Sequence, residues 1–292
     1  MFINSLFNKI KSVVLFNYYN LLGYKLILPP QGLGDILILL LGLRKYKDKA
    51  PKEKVGIIVT KKHFYDLCKL FSDNVDKIMY LPKLSYFPDY ILDIAKIVYG
   101  PNSHFDRFEE AILQTIGVNY NKELHILPKI KQTKKVLEMF KSKYKEGKTI
   151  LVTPEATTSQ NCFHENYWEN VADKLSGKGY IPVFNSRQKY GSYESILLNI
   201  EDTITFANHA GNVLGFRSGL NDVLGCFSSA YQVIIYPNNW HKGDMPYLNG
   251  FDENPNEKYM EDGSLKRLYQ NKQIEEFIFD EKIDVTEYFR EI

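Results

Sequence analysis

Tyr24-Lys25-Leu26-Ile27-Leu28-Pro29-Pro30-Gln31-Gly32-Leu33-Gly34-Asp35 reads as a short apolar strand, a glycine-bearing loop and the first turn of a helix. The glycines permit a tight turn and close approach of a ligand to backbone. Asp35 falls where the helix macrodipole favours a carboxylate. In an open parallel sheet, ligands bind beyond the carboxyl ends of the strands. Gly32, Gly34 and Asp35 are therefore candidates for a site. The loop is not a dinucleotide fingerprint, because Leu37 stands where a third glycine is needed. The plainer reading is a turn and a helix start that serve the fold alone.

The same rhythm continues outward. After the helix from Asp35 to about Tyr46 come a strand at 55–60, a helix at 64–71, a strand at 77–81 and a helix at 105–116 ended by Gly117. A connector and helix fill 126–146, so a domain break is expected near residue 147, giving domains 1–147 and 148–292. The pattern then restarts with a strand at 149–153, a helix at 167–178 and a strand at 180–185. A short helix is expected at 193–200, strands at 203–206 and 212–217, a helix at 220–227 and a strand at 231–236. The tail from 258 to 292 reads as polar with helical pieces. Strands alternating with helices imply parallel sheets covered on both faces, hence an α/β chain of two Rossmann-like halves.

Composition narrows the class. With 44% hydrophobic and 25% charged residues, the chain is an ordinary globular one. A net charge of +2 without a basic block argues against nucleic acid. Cys68, Cys162 and Cys226 are odd in number, far apart and without CxxC spacing, which argues against a disulfide framework or a structural zinc site and fits a reducing compartment. The apolar run Leu26–Leu43 is broken by Pro29, Pro30, Gly32, Gly34 and Asp35, so it does not read as a membrane span. Lys9 and Lys11 interrupt the first apolar run, and no secretory cleavage pattern follows. The expectation is a soluble, cytoplasmic protein. Phe2, Ile3, Leu6, Phe7, Ile10, Val13 and Val14 recur at helical spacing. That amphipathic helix packs on its own domain or rests on a membrane surface.

Two further stretches carry chemistry. Thr153-Pro154-Glu155-Ala156-Thr157-Thr158-Ser159 runs from a strand into a hydroxyl-rich loop that can hydrogen-bond phosphate or sugar oxygens. Gly215-Phe216-Arg217-Ser218-Gly219-Leu220-Asn221-Asp222 is a strand, a tight turn and a helix start. The free amides of such a start form an anion site, to which Arg217 or Ser218 could add contacts. Each also reads as an ordinary turn. His209 lies just before the second stretch and His104 lies in the first half; both read more simply as non-catalytic. No D-x-D pair, phosphate loop, nucleophile elbow or H-E-x-x-H motif is present.

Taken together, Pro30-Gln31-Gly32-Leu33-Gly34-Asp35, Thr153-Pro154-Glu155-Ala156-Thr157 with Tyr167-Trp168, and Arg217-Ser218-Gly219-Leu220 resemble the heptosyltransferase-like GT-B glycosyltransferases. Their order and spacing are similar over about residues 24–237. The Phe-Arg-Ser-Gly-Leu wording is also similar to fucosyltransferase-like GT-B enzymes. Arg217 and Asp222 stand where the heptosyltransferase-like family carries Asp and His, and Glu155 replaces a glycine.

The resemblance implies two Rossmann-like domains facing each other across a cleft, the first on the acceptor side and the second binding a nucleotide-sugar. It implies inverting, metal-independent transfer to a glycan or lipid-linked acceptor of cell-surface polysaccharide or lipopolysaccharide, with no cofactor. Asp35 would be the general base, with His104 the reserve candidate. Thr153, Glu155, Thr157, Thr158, Ser159, His209, Arg217, Ser218, Gly219, Leu220 and Asp222 would bind the donor. A nucleotide-sugar epimerase and a non-catalytic sugar or nucleotide binder are the rival readings.

Overall fold

The structure, a computed structural model, describes residues 2–30, 32–82, 84, 87–98, 108–118, 127–156, 163, 166–236, 274–279 and 284–290. His104, Thr157, Thr158, Ser159 and Cys162 lie outside the described residues. The chain forms two compact units, Met1–Pro128 and Lys129–Ile292.

The first unit begins with α1 (Phe2–Leu21) and a tight turn at Gly23, whose φ of 76° suits glycine. Then follow β1 (Tyr24–Leu28), α2 (Leu33–Lys49), β2 (Lys54–Val59), α3 (Lys62–Leu70), β3 (Lys77–Tyr80), β4 (Leu92–Asp93), α4 (Ile94–Val98) and α5 (Phe108–Thr115). The strands lie parallel in the order β3-β2-β1-β4. Every residue from Ile36 to Leu43 on α2 is buried, which explains its unbroken apolar run. A helix that is apolar all round belongs in a core.

The second unit comprises α6 (Lys134–Lys143), β5 (Thr149–Thr153), α7 (Tyr167–Gly177), β6 (Ile181–Asn185), β7 (Glu194–Ile196), α8 (Ile200–Ala210), β8 (Gly211–Phe216), α9 (Gly219–Phe227), β9 (Tyr231–Tyr236) and β10 (Ile274–Ile278). Its sheet is parallel in the order β10-β9-β8-β5-β6-β7. β5 is buried along its whole length, as a central parallel strand covered on both faces should be. One face packs Val152, Phe184, Leu214 and Val233 against Trp168 and Leu175 of α7. Phe279, Val285 and Phe289, from after β10, complete that cluster.

Four expectations are corrected. The division falls before α6 rather than near residue 147, because Phe140 of α6 packs on Phe206 of α8 with ring centroids 5.3 Å apart. Residues 203–206 are helical, although Thr-Ile-Thr-Phe suits a strand. The Asn199 side chain accepts from the Asp202 amide and starts α8. The Thr203 and Thr205 hydroxyls donate to the carbonyls of Asn199 and Glu201, four residues back. Such bonding lets threonine sit in a helix. Residues 194–196 form β7, not a helix, and the tail contributes the edge strand β10.

Candidate functional site

Strand order locates a site before any side chain does. In the second unit the chain builds from β5 to β6 and β7 on one side, and from β8 to β9 and β10 on the other. The direction reverses between β5 and β8. Ligands of doubly wound sheets bind beyond the carboxyl ends of the strands at such a reversal. Thr153 ends β5 and is in register with Gly215, next to the end of β8. The turn Arg217-Ser218 then opens α9.

Asn221 ties these pieces together. Its side chain is fully buried. Its Oδ1 accepts from the Ser218 amide at 3.1 Å and the Ser218 hydroxyl at 2.9 Å. Its Nδ2 donates to the Thr153 hydroxyl at 3.4 Å. Thr153 and Ser218 thus serve this bracket. A Cβ on Gly215 would collide with both the Asn221 amide and the Thr153 hydroxyl. Gly215→Ala is therefore expected to cost about 1–3 kcal/mol, as overpacking usually does. Thermal unfolding checks this, and an unchanged midpoint would deny the bracket.

With the turn held, the amides of Gly219 and Leu220 open α9 without intrahelical acceptors. They and the helix dipole favour an anion. Asp222, one turn in, would repel one. The Arg217 guanidinium neutralises it: Nη1 lies 2.6 Å from Asp222 Oδ1 and donates to the Ser218 carbonyl at 3.0 Å. The side chains are only 11% and 4% exposed. The guanidinium also sits 5.6 Å from the Tyr236 ring centroid. Arg217 and Asp222 thus brace the turn, a role the sequence reading did not assign them.

Glu155, just beyond β5, accepts hydrogen bonds from the Ser186 hydroxyl and, at 3.4 Å, from Tyr190. The Tyr190 ring stacks on Phe184, with centroids 4.3 Å apart. Burial, then the nearby Glu155 carboxylate, raises the Tyr190 hydroxyl above its ordinary pKa. Ser186 and Tyr190 were not anticipated, because their link to Glu155 spans distant sequence.

His209 is not brought to this edge. It ends α8, just before β8 begins, and its ring packs 5.7 Å from that of Phe140. Arg217 follows the other end of β8. A strand of that length separates the two by roughly 20 Å.

The first unit has its own reversal, between β1 and β4. Beyond the end of β1, Gly32 is the N-cap of α2, and Asp35 lies in the first turn. Asp35 is half-buried, Gly34 is buried, and a Cβ on Gly32 would strike the Asp35 carboxylate. The carboxylate therefore folds back over the loop. Asp93 of β4, in register with Leu28, is a second acid at this edge. It already accepts the Lys96 amide at 3.0 Å. Among the described residues, no group of three or more His, Cys, Asp or Glu side chains could hold a metal ion.

No family model matches the sequence, and no curated protein matches it. Solved structures do. The ADP-heptose LPS heptosyltransferase II of E. coli matches at 11% identity over 73% of this chain and 84% of its own, with a TM-score of 0.52. The E. coli heptosyltransferase WaaC, solved with ADP, matches at 12% identity over 88% of this chain and 93% of its own, with a TM-score of 0.51. A family 9 glycosyl transferase from Veillonella parvula is 12% identical over 74% of this chain and 80% of its own, with a TM-score of 0.48. The first two likenesses, with the two parallel sheets, show that the fold is of the GT-B type.

Proposed function

We propose that this chain is a glycosyltransferase that moves a sugar from a nucleotide-sugar to a glycan or lipid-linked glycan inside the cell. The observation that carries this is the anion-binding start of α9 at the strand-order reversal of a GT-B fold. Two structures of that fold are heptosyltransferases, and one of them holds ADP.

The donor diphosphate meets the Gly219 and Leu220 amides, and Thr153, Glu155 and Ser218 line its edge. Thr157, Thr158 and Ser159 belong to the same loop in sequence. Asp35 of the first unit takes the proton of the acceptor hydroxyl. That oxygen bonds to the anomeric carbon from the face opposite the diphosphate, the carbon–diphosphate bond breaks, and configuration inverts. The electron pair leaves with the nucleoside diphosphate, whose charge the helix start stabilises. His104 is the next candidate base if Asp35 proves dispensable.

A thermal-shift panel of nucleotide-sugars tests the donor. A true donor at a hundred times its Kd should add about 2.7 kcal/mol of stability. With that donor and an acceptor glycan, free nucleoside diphosphate should appear, and EDTA should not abolish it. The helix dipole and amides take the place that D-x-D carboxylates and a metal hold elsewhere. If no nucleotide-sugar shifts the midpoint, the reading fails. Sugar isomerised without acceptor would indicate an epimerase, and binding without release a carrier. Activity lost to EDTA and restored by Mg²⁺ would overturn metal independence.

A further inference from the structure

Helix α1 has two opposite faces, and the core uses one of them. Phe16 is fully buried with Leu26, Leu28 and Ile91, and Leu15 and Tyr19 pack beside it. On the opposite side, Ile10, Val14, Tyr18 and Leu21 are 55%, 63%, 56% and 86% exposed. Their spacing places them on one stripe. In the sequence, Ile3 and Phe7 fall on the same spacing. Scattered exposed apolar residues need no explanation, but a stripe along a helix of about 30 Å does.

Charge says what the stripe faces. Lys9, Lys11 and Lys25 are the charged residues before Asp35, and no acid precedes it. At the carboxyl end of α1, Lys54 donates to the Leu22 carbonyl at 3.4 Å, and Lys77 lies 5.5 Å from the Tyr19 ring centroid. Exposed apolar residues rimmed by lysines and tyrosines match the interface of a bilayer carrying anionic headgroups. Among the described residues no helix is long and apolar enough to cross a membrane.

We infer that α1 lies flat on an anionic lipid bilayer, with the Ile10-Val14-Tyr18-Leu21 stripe in the headgroup–acyl boundary and Lys11 and Lys54 among the headgroups. The tight turn at Gly23 doubles α1 back along β1, and a five-residue strand spans only roughly 17 Å. The amino-terminal part of α1 therefore extends past the carboxyl edge of that sheet, the edge that bears Asp35. The binding is reversible and does not depend on the proposed reaction.

Sedimentation of the full chain with vesicles tests this. The protein should pellet with vesicles of equal parts phosphatidylglycerol and phosphatidylcholine, less so as salt rises, and poorly with phosphatidylcholine alone. Val14→Glu with Leu21→Glu should weaken that binding by at least about tenfold, since each residue is worth about one power of ten when buried. The melting midpoint should hold, because neither side chain packs on the core. Lys11→Gln offers a second variant that leaves the apolar stripe intact and should lower binding at low salt. Wild-type protein that stays in the supernatant with anionic vesicles, or a double variant that pellets equally well, overturns the inference. So does sedimentation equilibrium showing a dimer that the double variant converts to monomer, since the stripe would then be covered by a second copy.

Discussion

Asp35→Asn is expected to lower turnover by about 10²–10⁴-fold, the contribution of a positioned base. Asparagine keeps the size and most hydrogen bonds but cannot take the proton. Donor affinity should stay nearly unchanged, because the diphosphate is assigned to α9 of the second unit. The competing reading is that Asp35 merely favours its helix. Gly32 is the N-cap and Asp35 sits in the first turn. A carboxylate there contributes about 0.3–1 kcal/mol through the macrodipole. If that were its whole role, the variant would melt slightly lower and turn over normally. Turnover, donor affinity and melting temperature on this one protein separate the two. Near-wild-type turnover would remove Asp35 from the mechanism.

Arg217→Ala is expected to destabilise the fold by about 3–5 kcal/mol, because it strands a buried carboxylate. Asp222 is 4% exposed and pairs with Arg217 at 2.6 Å. Denaturant unfolding measures the loss. Replacing both, as in Arg217→Met with Asp222→Leu, should recover much of it, since apolar pairs often stand in for buried ion pairs. If Arg217→Ala instead melts like wild type and loses donor affinity, the guanidinium serves the diphosphate and the brace is incidental.

Those two positions show what a sequence can and cannot reveal. The place of Asp35 in the first turn of α2 was legible because strand, glycine loop and helix are contiguous, and β1 occupies Tyr24–Leu28 as the apolar run implied. The strands Thr149–Thr153 and Tyr231–Tyr236 were equally plain. Their apolar side chains reflect burial on both faces. The helix across Thr203 and Thr205 was hidden, because β-branched residues prefer strands and only the Asn199 cap argued otherwise. β10 was hidden by Glu275 and Glu276, which an edge strand tolerates and a central one does not. Arg217 was read as a ligand contact because sequence shows charges but not their pairing. Asn221 was passed over, although a Ser three residues before a polar residue at a helix start is a capping signal. Its bond to Thr153 joins α9 to the end of β5, 68 residues away in sequence, and could not be read from either.

The place of β10 bears on how this chain is made. A ribosome releases the amino end first, so every strand and helix of the first unit has emerged once Pro128 is out. The second unit has no such early completion. The apolar floor beneath Trp168 and Leu175 waits for Phe279, Val285 and Phe289, and β9 waits for β10 as its outer neighbour. Until then a bare strand edge and an unsealed apolar face meet the surrounding water, the two features that invite aggregation in nascent chains. A second unit cut short before β10 should therefore aggregate where the full chain stays in solution.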